Sequence, residues 1–381
     1  MEISLYIHYP FCLKKCLYCD FNSAADSRIT PAEYVAALVR EMELRARTLP
    51  ASIVAPTLYF GGGTPSLLPP EEVARVIDAA ARLYGLAADA EITVEANPGT
   101  VTWEKLAGYR FAGVNRLSLG VQSFHDPLLA RLGRIHSARE AREACSAARN
   151  AGFANIGIDL IHSLPGETTG MWEDDLRAAV LLAPEHISAY GLSVEEGTPF
   201  QQMAAEGNLP LPDEDAAAAM LERTASLLIG AGYDHYEISN FARPGCRSRH
   251  NQVYWHRMNY LGFGAGAHSF LAAPGRGERW CNAADAGNYV RAIGGGTIPA
   301  EETTLLTDRE AQAEFLFLGL RLLEGVEEAR FAAEFGLPVT EAFPGVVADL
   351  CSKGLLERER GRLRLSSRRV PLANQVFMAF L

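Results

Sequence analysis

Cys12, Cys16 and Cys19 crowd into one stretch near the start of the chain, Pro10-Phe11-Cys12-Leu13-Lys14-Lys15-Cys16-Leu17-Tyr18-Cys19-Asp20-Phe21. Thiolates are the usual protein ligands of iron–sulfur clusters, and a cubane cluster has four irons to cap. Three thiolates leave one iron open to a small molecule. That suits chemistry or ligand capture better than plain electron storage. A zinc site and three unrelated thiols are the competing readings. Tetrahedral structural zinc takes four ligands, and the nearest spare candidate, His8, falls on the predicted strand before the loop.

A loop of this kind needs a scaffold, and the pattern around it supplies one. Apolar β-rich runs at 4–8, 56–60, 91–95, 116–120, 155–160 and 186–192 predict strands. Helices are predicted between them at 71–83, 102–110, 138–151 and 171–182. The first helix has a clear start: Thr30 caps it, Pro31 suits its first position and Glu33 completes a capping box. Strands alternating with helices at this pitch mean parallel βα units. Barrel enzymes carry their sites on the loops after strand C-termini. Cys12 follows the first strand, Gly61 the second and Gln122 the fourth, while Glu95 and Asp159 lie near the ends of the third and fifth.

Beyond residue 200 the pattern loosens. A helix at 213–231 precedes a loop-rich segment, 236–270, dense in His, Tyr, Asn and Gly. From about 305 the chain reads as helices, a charged hairpin within 353–369 and a terminal helix. Residues 305–381 hold 10 basic and 11 acidic side chains, and the whole chain carries a formal charge of −11. That balance argues against broad nucleic-acid binding, which needs clustered Lys and Arg. No apolar run approaches the roughly 20 residues that span a bilayer. No basic region followed by an apolar stretch opens the chain, so a cytoplasmic protein without a transmembrane segment is expected. Seven cysteines with this spacing do not suggest a disulfide framework. Cys145 and Cys351 read as buried helical thiols, and Cys246 and Cys281 fall in loop-like segments.

The cysteine loop resembles the CxxxCxxC signature of radical S-adenosylmethionine (SAM) proteins. The resemblance continues through Gly61-Gly62-Gly63-Thr64-Pro65-Ser66, Val94-Glu95-Ala96-Asn97-Pro98 and Leu117 to Phe124. It extends through Gly157-Ile158-Asp159-Leu160-Ile161, Ser163 to Thr168, Glu196-Gly197-Thr198-Pro199-Phe200 and Tyr236 to Ala242. Together these motifs resemble the oxygen-independent coproporphyrinogen III oxidase-like group over nearly the whole chain. In the loop 163–168, Ser163 and Glu167 stand where that group more often has Gly and Gln. The resemblance implies an α/β fold, a partial (βα)6 radical SAM barrel with a small C-terminal winged-helix-like α+β domain. The expected division is 1–200 for the barrel, 201–304 for a barrel-completing segment and 305–381 for the C-terminal domain.

The same resemblance implies a [4Fe–4S] cluster on Cys12, Cys16 and Cys19, with SAM on the fourth iron as a radical source. It implies that Tyr6, Gly62, Gly63, Thr64, Glu95, Gln122, Arg134, Asp159 and Ser193 line the cofactor cavity. The aromatics Tyr18 and Phe21 suit shielding of the cluster, with ordinary aromatic packing as the alternative. The segment Ser248-Arg249-His250-Asn251-Gln252-Val253-Tyr254-Trp255 resembles the HNxxYW element of the group's heme-chaperone branch. Its imidazole suits coordination of heme iron and its aromatics suit packing on a porphyrin. A plainer reading makes it a buttress of the barrel mouth. His256 and His268 are alternative ligands. Two functions compete: a heme chaperone that delivers heme to heme-requiring proteins, respiratory ones among them, and a coproporphyrinogen III oxidase. The oxidase has a fourth cysteine where this chain has Phe21, and a longer N-terminal extension. Radical heme-degrading relatives are a third option. A homodimer is a further expectation of the resemblance.

Overall fold

The computed structural model describes residues 1–25, 28–50, 52–273 and 275–381. Six parallel strands lie side by side in chain order: β1 (Ser4–Tyr9), β2 (Ala55–Gly62), β3 (Leu86–Ala96), β4 (Arg116–Gln122), β5 (Ile156–His162) and β6 (His186–Gly191). Helices α1 (Pro31–Ala46), α2 (Pro70–Tyr84), α3 (Trp103–Ala112), α4 (Asp126–Leu132), α5 (Ala138–Asn150) and α6 (Thr169–Leu181) fill the crossovers. This is the partial (βα)6 barrel. The capping box of α1 is formed: Thr30 accepts from the Glu33 amide, and the Glu33 carboxylate accepts from the Thr30 amide.

Side chains alternate faces along a strand, and here the alternation separates two chemistries. Leu5, Ile7, Leu58, Phe60, Val94, Leu117, Leu119, Ile158 and Leu160 are buried in the apolar core beneath the helices. The intervening Tyr6, His8, Tyr59, Glu95, Ser118, Asp159 and Ser188 share the opposite face. The barrel interior is therefore polar. An eight-stranded barrel fills its interior with branched apolar side chains; this one keeps room for a ligand.

The sheet does not stop at residue 200. After α7 (Pro199–Ala205) and α8 (Glu214–Gly230), β7 (Asp234–His235) and β8 (Asn240–Ala242) extend it beyond β6. Helix α9 (Arg249–Trp255) follows. Then β9 (Tyr260–Phe263) pairs parallel with β1, and β10 (His268–Leu271), β11 (Glu278–Asn282) and β12 (Ala300–Leu305) add antiparallel strands outside it. The expected loop-rich segment 236–270 thus holds three short strands and a helix. Strands this short are too brief to print a period-two pattern. For the same reason Cys281, expected in a loop, lies in β11. Cys145 is buried as expected, whereas Cys351 is only half-buried.

The C-terminal unit has its own core, with Leu316, Phe331, Leu363, Val376 and Phe380 at its centre. Its small sheet joins β13 (Val326–Glu327), β14 (Leu356–Glu359) and β15 (Arg362–Leu365), in the order β13-β15-β14. The expected charged hairpin is β14–β15. Arg358 pairs with Glu328, Arg362 with Glu327 and Arg364 with Glu357, so the hairpin is not an open basic face. Arg257, buried, reaches Glu314 at 3.1 Å and Glu334 at 2.9 Å, and Arg279 also meets Glu314. These ion pairs tie the C-terminal unit to the barrel. Among the described residues no helix is long and apolar enough to cross a membrane.

Candidate functional site

A cavity of about 370 Å³ opens at the C-terminal ends of the strands. Cys12, Cys16 and Cys19 form one part of its wall, and none is in a disulfide. Their loop is pinned at both ends, by the Cys12 amide on Ala24 O (3.0 Å) and the Leu17 amide on Leu132 O (3.0 Å). Thr64 Oγ1 donates to Cys12 Sγ at 3.3 Å, and Arg134 donates to Cys16 Sγ at 3.5 Å. Burial raises the Cys19 thiol pKa, offset in part by the Phe21 amide. Donors aimed at sulfur favour thiolates and tune an iron–sulfur cluster. Among the described residues no three His, Cys, Asp or Glu side chains gather around one metal ion. Zinc would want a fourth ligand beside the three thiols, and none gathers there among the described residues.

Facing the thiols is the turn after β2. Gly62 has φ +110°, and a Cβ there would meet the His8 ring at 2.7 Å; a Cβ at Gly63 would strike the Phe11 backbone at 2.9 Å. Only glycine fits either position. The Gly62 amide donates to Glu95 Oε2 (3.3 Å), and Tyr59 Oη donates to Glu95 Oε1 (2.7 Å). Burial pushes the Glu95 carboxyl up to about 7 despite those donors. Asp159 is also raised by burial, against hydroxyl bonds from Ser188 and Ser118. Gln122 sits at φ +70°, where the β4–β5 register slips. A left-handed non-glycine residue is strained, and such strain gathers at ligand sites. Arg134 is held by Gly120 O at 2.7 Å and half-buried.

The deep end is closed by α9. Ser248 caps that helix by accepting from the Asn251 amide, and the Glu91 carboxylate accepts from the amides of Arg249 and His250. Asn251 lines the cavity floor beside Arg116 and His186. Arg116 Nε and His186 Nδ1 are buried without a hydrogen-bond partner among the described residues. Polar atoms left this way call for water or ligand atoms. The chemistry of the wall and the floor fits a polar cofactor.

Of the expected site residues, Cys12, Cys16, Cys19, Tyr18, Gly62, Gly63, Thr64, Glu95, Gln122, Arg134, Asp159 and Ser193 all border this cavity. Tyr6 and His250 do not. Tyr6 Oη bonds His8 Nδ1 at 3.1 Å. His250 is 1 % exposed, with Nδ1 on Thr57 Oγ1 (2.7 Å) and Nε2 on Tyr254 Oη (2.8 Å), and its ring stacks on Tyr59. Burial lowers its imidazole to about 3, helped by the Arg116 charge. The segment 248–255 therefore plugs the barrel floor and does not buttress its mouth. Sequence reasoning missed Arg116, His186 and Ser188. Their signal was polarity at alternate positions of apolar strands.

The radical SAM superfamily model matches residues 6–179, and the HemN C-terminal domain model matches 306–371. Over 380 residues, 99% of each chain, the sequence is 39% identical to the heme chaperone HemW of Bacillus subtilis strain 168. The chain belongs to the HemW family. HemW of Escherichia coli K12 is 39% identical over 339 residues, covering 88% of this chain and 86% of that one. A bovine mitochondrial relative, radical S-adenosyl methionine domain-containing protein 1, is 35% identical over 99% of this chain and 87% of its own. Among solved structures, the coproporphyrinogen III oxidase HemN of E. coli, a radical SAM enzyme, superposes with a TM-score of 0.85. It is 24% identical and covers 100% of this chain and 90% of its own. That likeness establishes the shared fold.

Proposed function

We propose that this HemW-family protein is a heme chaperone of the radical SAM type, which binds heme and passes it to heme-requiring proteins. The observation that carries the reading is identity near two-fifths, end to end, with a protein named for that role. In this reading Cys12, Cys16 and Cys19 hold a [4Fe–4S] cluster, and the cavity beside them takes SAM. When bound, the cluster supplies an open iron and a source of single electrons. The chain's own residues do the rest. Thr64 and Arg134 steady two of the sulfurs, Glu95 and Asp159 offer carboxylates to hydroxyl or amino donors, and the Gly62–Gly63 turn lets backbone approach the ligand.

The oxidase remains the second reading, because its fold is shared throughout. Phe21, at the position of the oxidase's fourth cysteine, is 59 % exposed at the cavity rim. An anaerobic assay of the reconstituted protein with coproporphyrinogen III, SAM and a reductant separates the two, with heme titrated into the same preparation. Heme uptake without protoporphyrinogen is expected. Protoporphyrinogen formed over many turnovers would make the protein an oxidase.

A further inference from the structure

The deep end of the cavity holds two buried groups that none of the expected cofactor residues engages. Arg116, at the start of β4, is 2 % exposed, and His186, at the start of β6, is 1 % exposed. Both border the cavity. No hydrogen bond or ion pair joins the Arg116 side chain to the described residues, and its Nε is fully enclosed. A buried cation without a partner is costly, so such a group marks a place for a ligand. In the sheet, Gly157 stands between Ser118 and His186. A Cβ at Gly157 would lie 3.6 Å from Arg116 Nη2. The guanidinium therefore reaches across that missing side chain toward His186.

The neighbours of His186 assign its proton. Burial and the Arg116 charge hold its pKa well below the ordinary range, so the ring is neutral. A neutral imidazole carries one N–H. Its Nε2 lies 2.8 Å from Tyr236 Oη, and that hydroxyl accepts the Ser248 amide at 3.3 Å. Tyr236 is buried, and among the described residues its own proton has no other acceptor. The hydroxyl thus donates to Nε2, which assigns the ring proton to Nδ1, the atom left without a partner. Asn251 is the third group. It borders the same floor, and its side-chain amide makes no hydrogen bond among the described residues.

A fixed cation beside two neutral donors asks for an anion with more than one acceptor oxygen. The protein's own carboxylates are engaged elsewhere. Asp159 accepts from Ser118 and Ser188, and Glu95 from Tyr59 and the Gly62 amide. Glu91, the charge that acts most strongly on Arg116, accepts the amides of Arg249 and His250. The planar fork of a guanidinium matches a carboxylate with two parallel bonds. One carboxylate balances its single charge, whereas a phosphate dianion would bring excess charge up against Asp159 and Glu95. We propose that Arg116, His186 and Asn251 form a subsite for the carboxylate of a second ligand, seated beneath SAM. This rests on the reading above, which seats SAM at the sulfur end of the same cavity.

The test is isothermal calorimetry on the full-length reconstituted protein at constant ionic strength. Propionate is the probe and propionamide its uncharged counterpart, each titrated with and without saturating SAM. Wild type is expected to bind propionate about tenfold or more tightly than propionamide, with SAM present or absent. Arg116→Gln removes the cation and Asn251→Asp sets a like charge beside the probe; each should weaken propionate about tenfold or more. Iron and sulfide content equal to wild type shows that a variant folds, and Asn251, on the cavity wall, serves where Arg116→Gln does not. Equal affinity for propionate and propionamide, or wild-type propionate affinity in a folded variant, overturns the subsite. Propionate expelled by SAM returns the floor to SAM and overturns the second ligand. A protein that binds propionate but no SAM keeps the subsite and overturns the cofactor reading instead.

Discussion

At the scale of single residues, the cavity is set by how few partners each reactive atom has. Thr64 donates to Cys12, Arg134 to Cys16 and the Phe21 amide to Cys19, and single donors of this kind leave each sulfur free to take iron. Replacing any one of Cys12, Cys16 or Cys19 by Ala should leave little or no intact cluster after anaerobic reconstitution, read as iron and sulfide per chain. Glu95 gives a second prediction. Burial holds its carboxyl near 7, so it is ionised above that pH and protonated below it. A ligand that donates hydroxyl or amino protons to it binds the ionised form. SAM affinity should therefore fall as pH drops through about 7, by up to tenfold per unit below it. Asp159, also raised, adds to the same trend. In Glu95→Gln, SAM should bind more weakly and with a flatter pH profile. A wild-type affinity unchanged between about pH 5.5 and 8.5 would remove Glu95 from the ligand's contacts.

At the scale of elements, the loop after β5 explains the two residues by which the sequence departs from its group. Ser163 sits at φ +62°, a conformation natural to glycine, and its Oγ bonds His162 Nδ1 at 2.9 Å. Glu167 is 5 % exposed and accepts from the Leu164 amide at 2.9 Å. Burial pushes its carboxyl up to about 8. At neutral pH it is mostly protonated and has the shape and polarity of the glutamine it replaces. Its folded pKa lies above the ordinary carboxylate range, so its contribution to stability is full at low pH. That contribution is lost as pH rises toward about 8. Glu167→Gln should unfold about 2–6 °C above wild type at pH 8.5 and close to it at pH 4.5. Thermal melts across that range check it, and parallel curves would refute it. The long βα elements were legible because their apolar alternation repeats over whole strands. Helix α9 was not, because its seven residues carry too few turns to show a period. What fixes α9 is the Glu91 carboxylate at its N-terminus, a partner 158 residues away from Arg249 that no local pattern announces.

At the scale of the molecule, the joint between barrel and C-terminal unit rests on Glu314, which serves both Arg257 and Arg279. Arg257 has a side chain only 3 % exposed. Removing one partner of a buried pair strands the other charge, at a cost of roughly 3–5 kcal/mol. Because Glu334 also holds Arg257, Glu314→Ala should cost near the lower figure, about 3 kcal/mol. Urea unfolding would read it, and a loss under half that size would mean the joint is carried by apolar packing instead. The cysteine loop and the barrel were visible in sequence because each is built from neighbours in the chain. The role of Arg257 was not, since it depends on helices from the two units being brought together late in the chain.

The plug formed by α9 has a kinetic side. With the Glu91 clamp holding the floor shut, whatever rests against Arg116 and His186 departs by the way it came, past Cys12 and Thr64. Among the described residues, the interior is lined at one end by the cysteine loop and closed at the other by α9. A molecule seated deep must arrive before the one seated at the sulfurs and leave after it. Residence time at the bottom is then governed by traffic at the top.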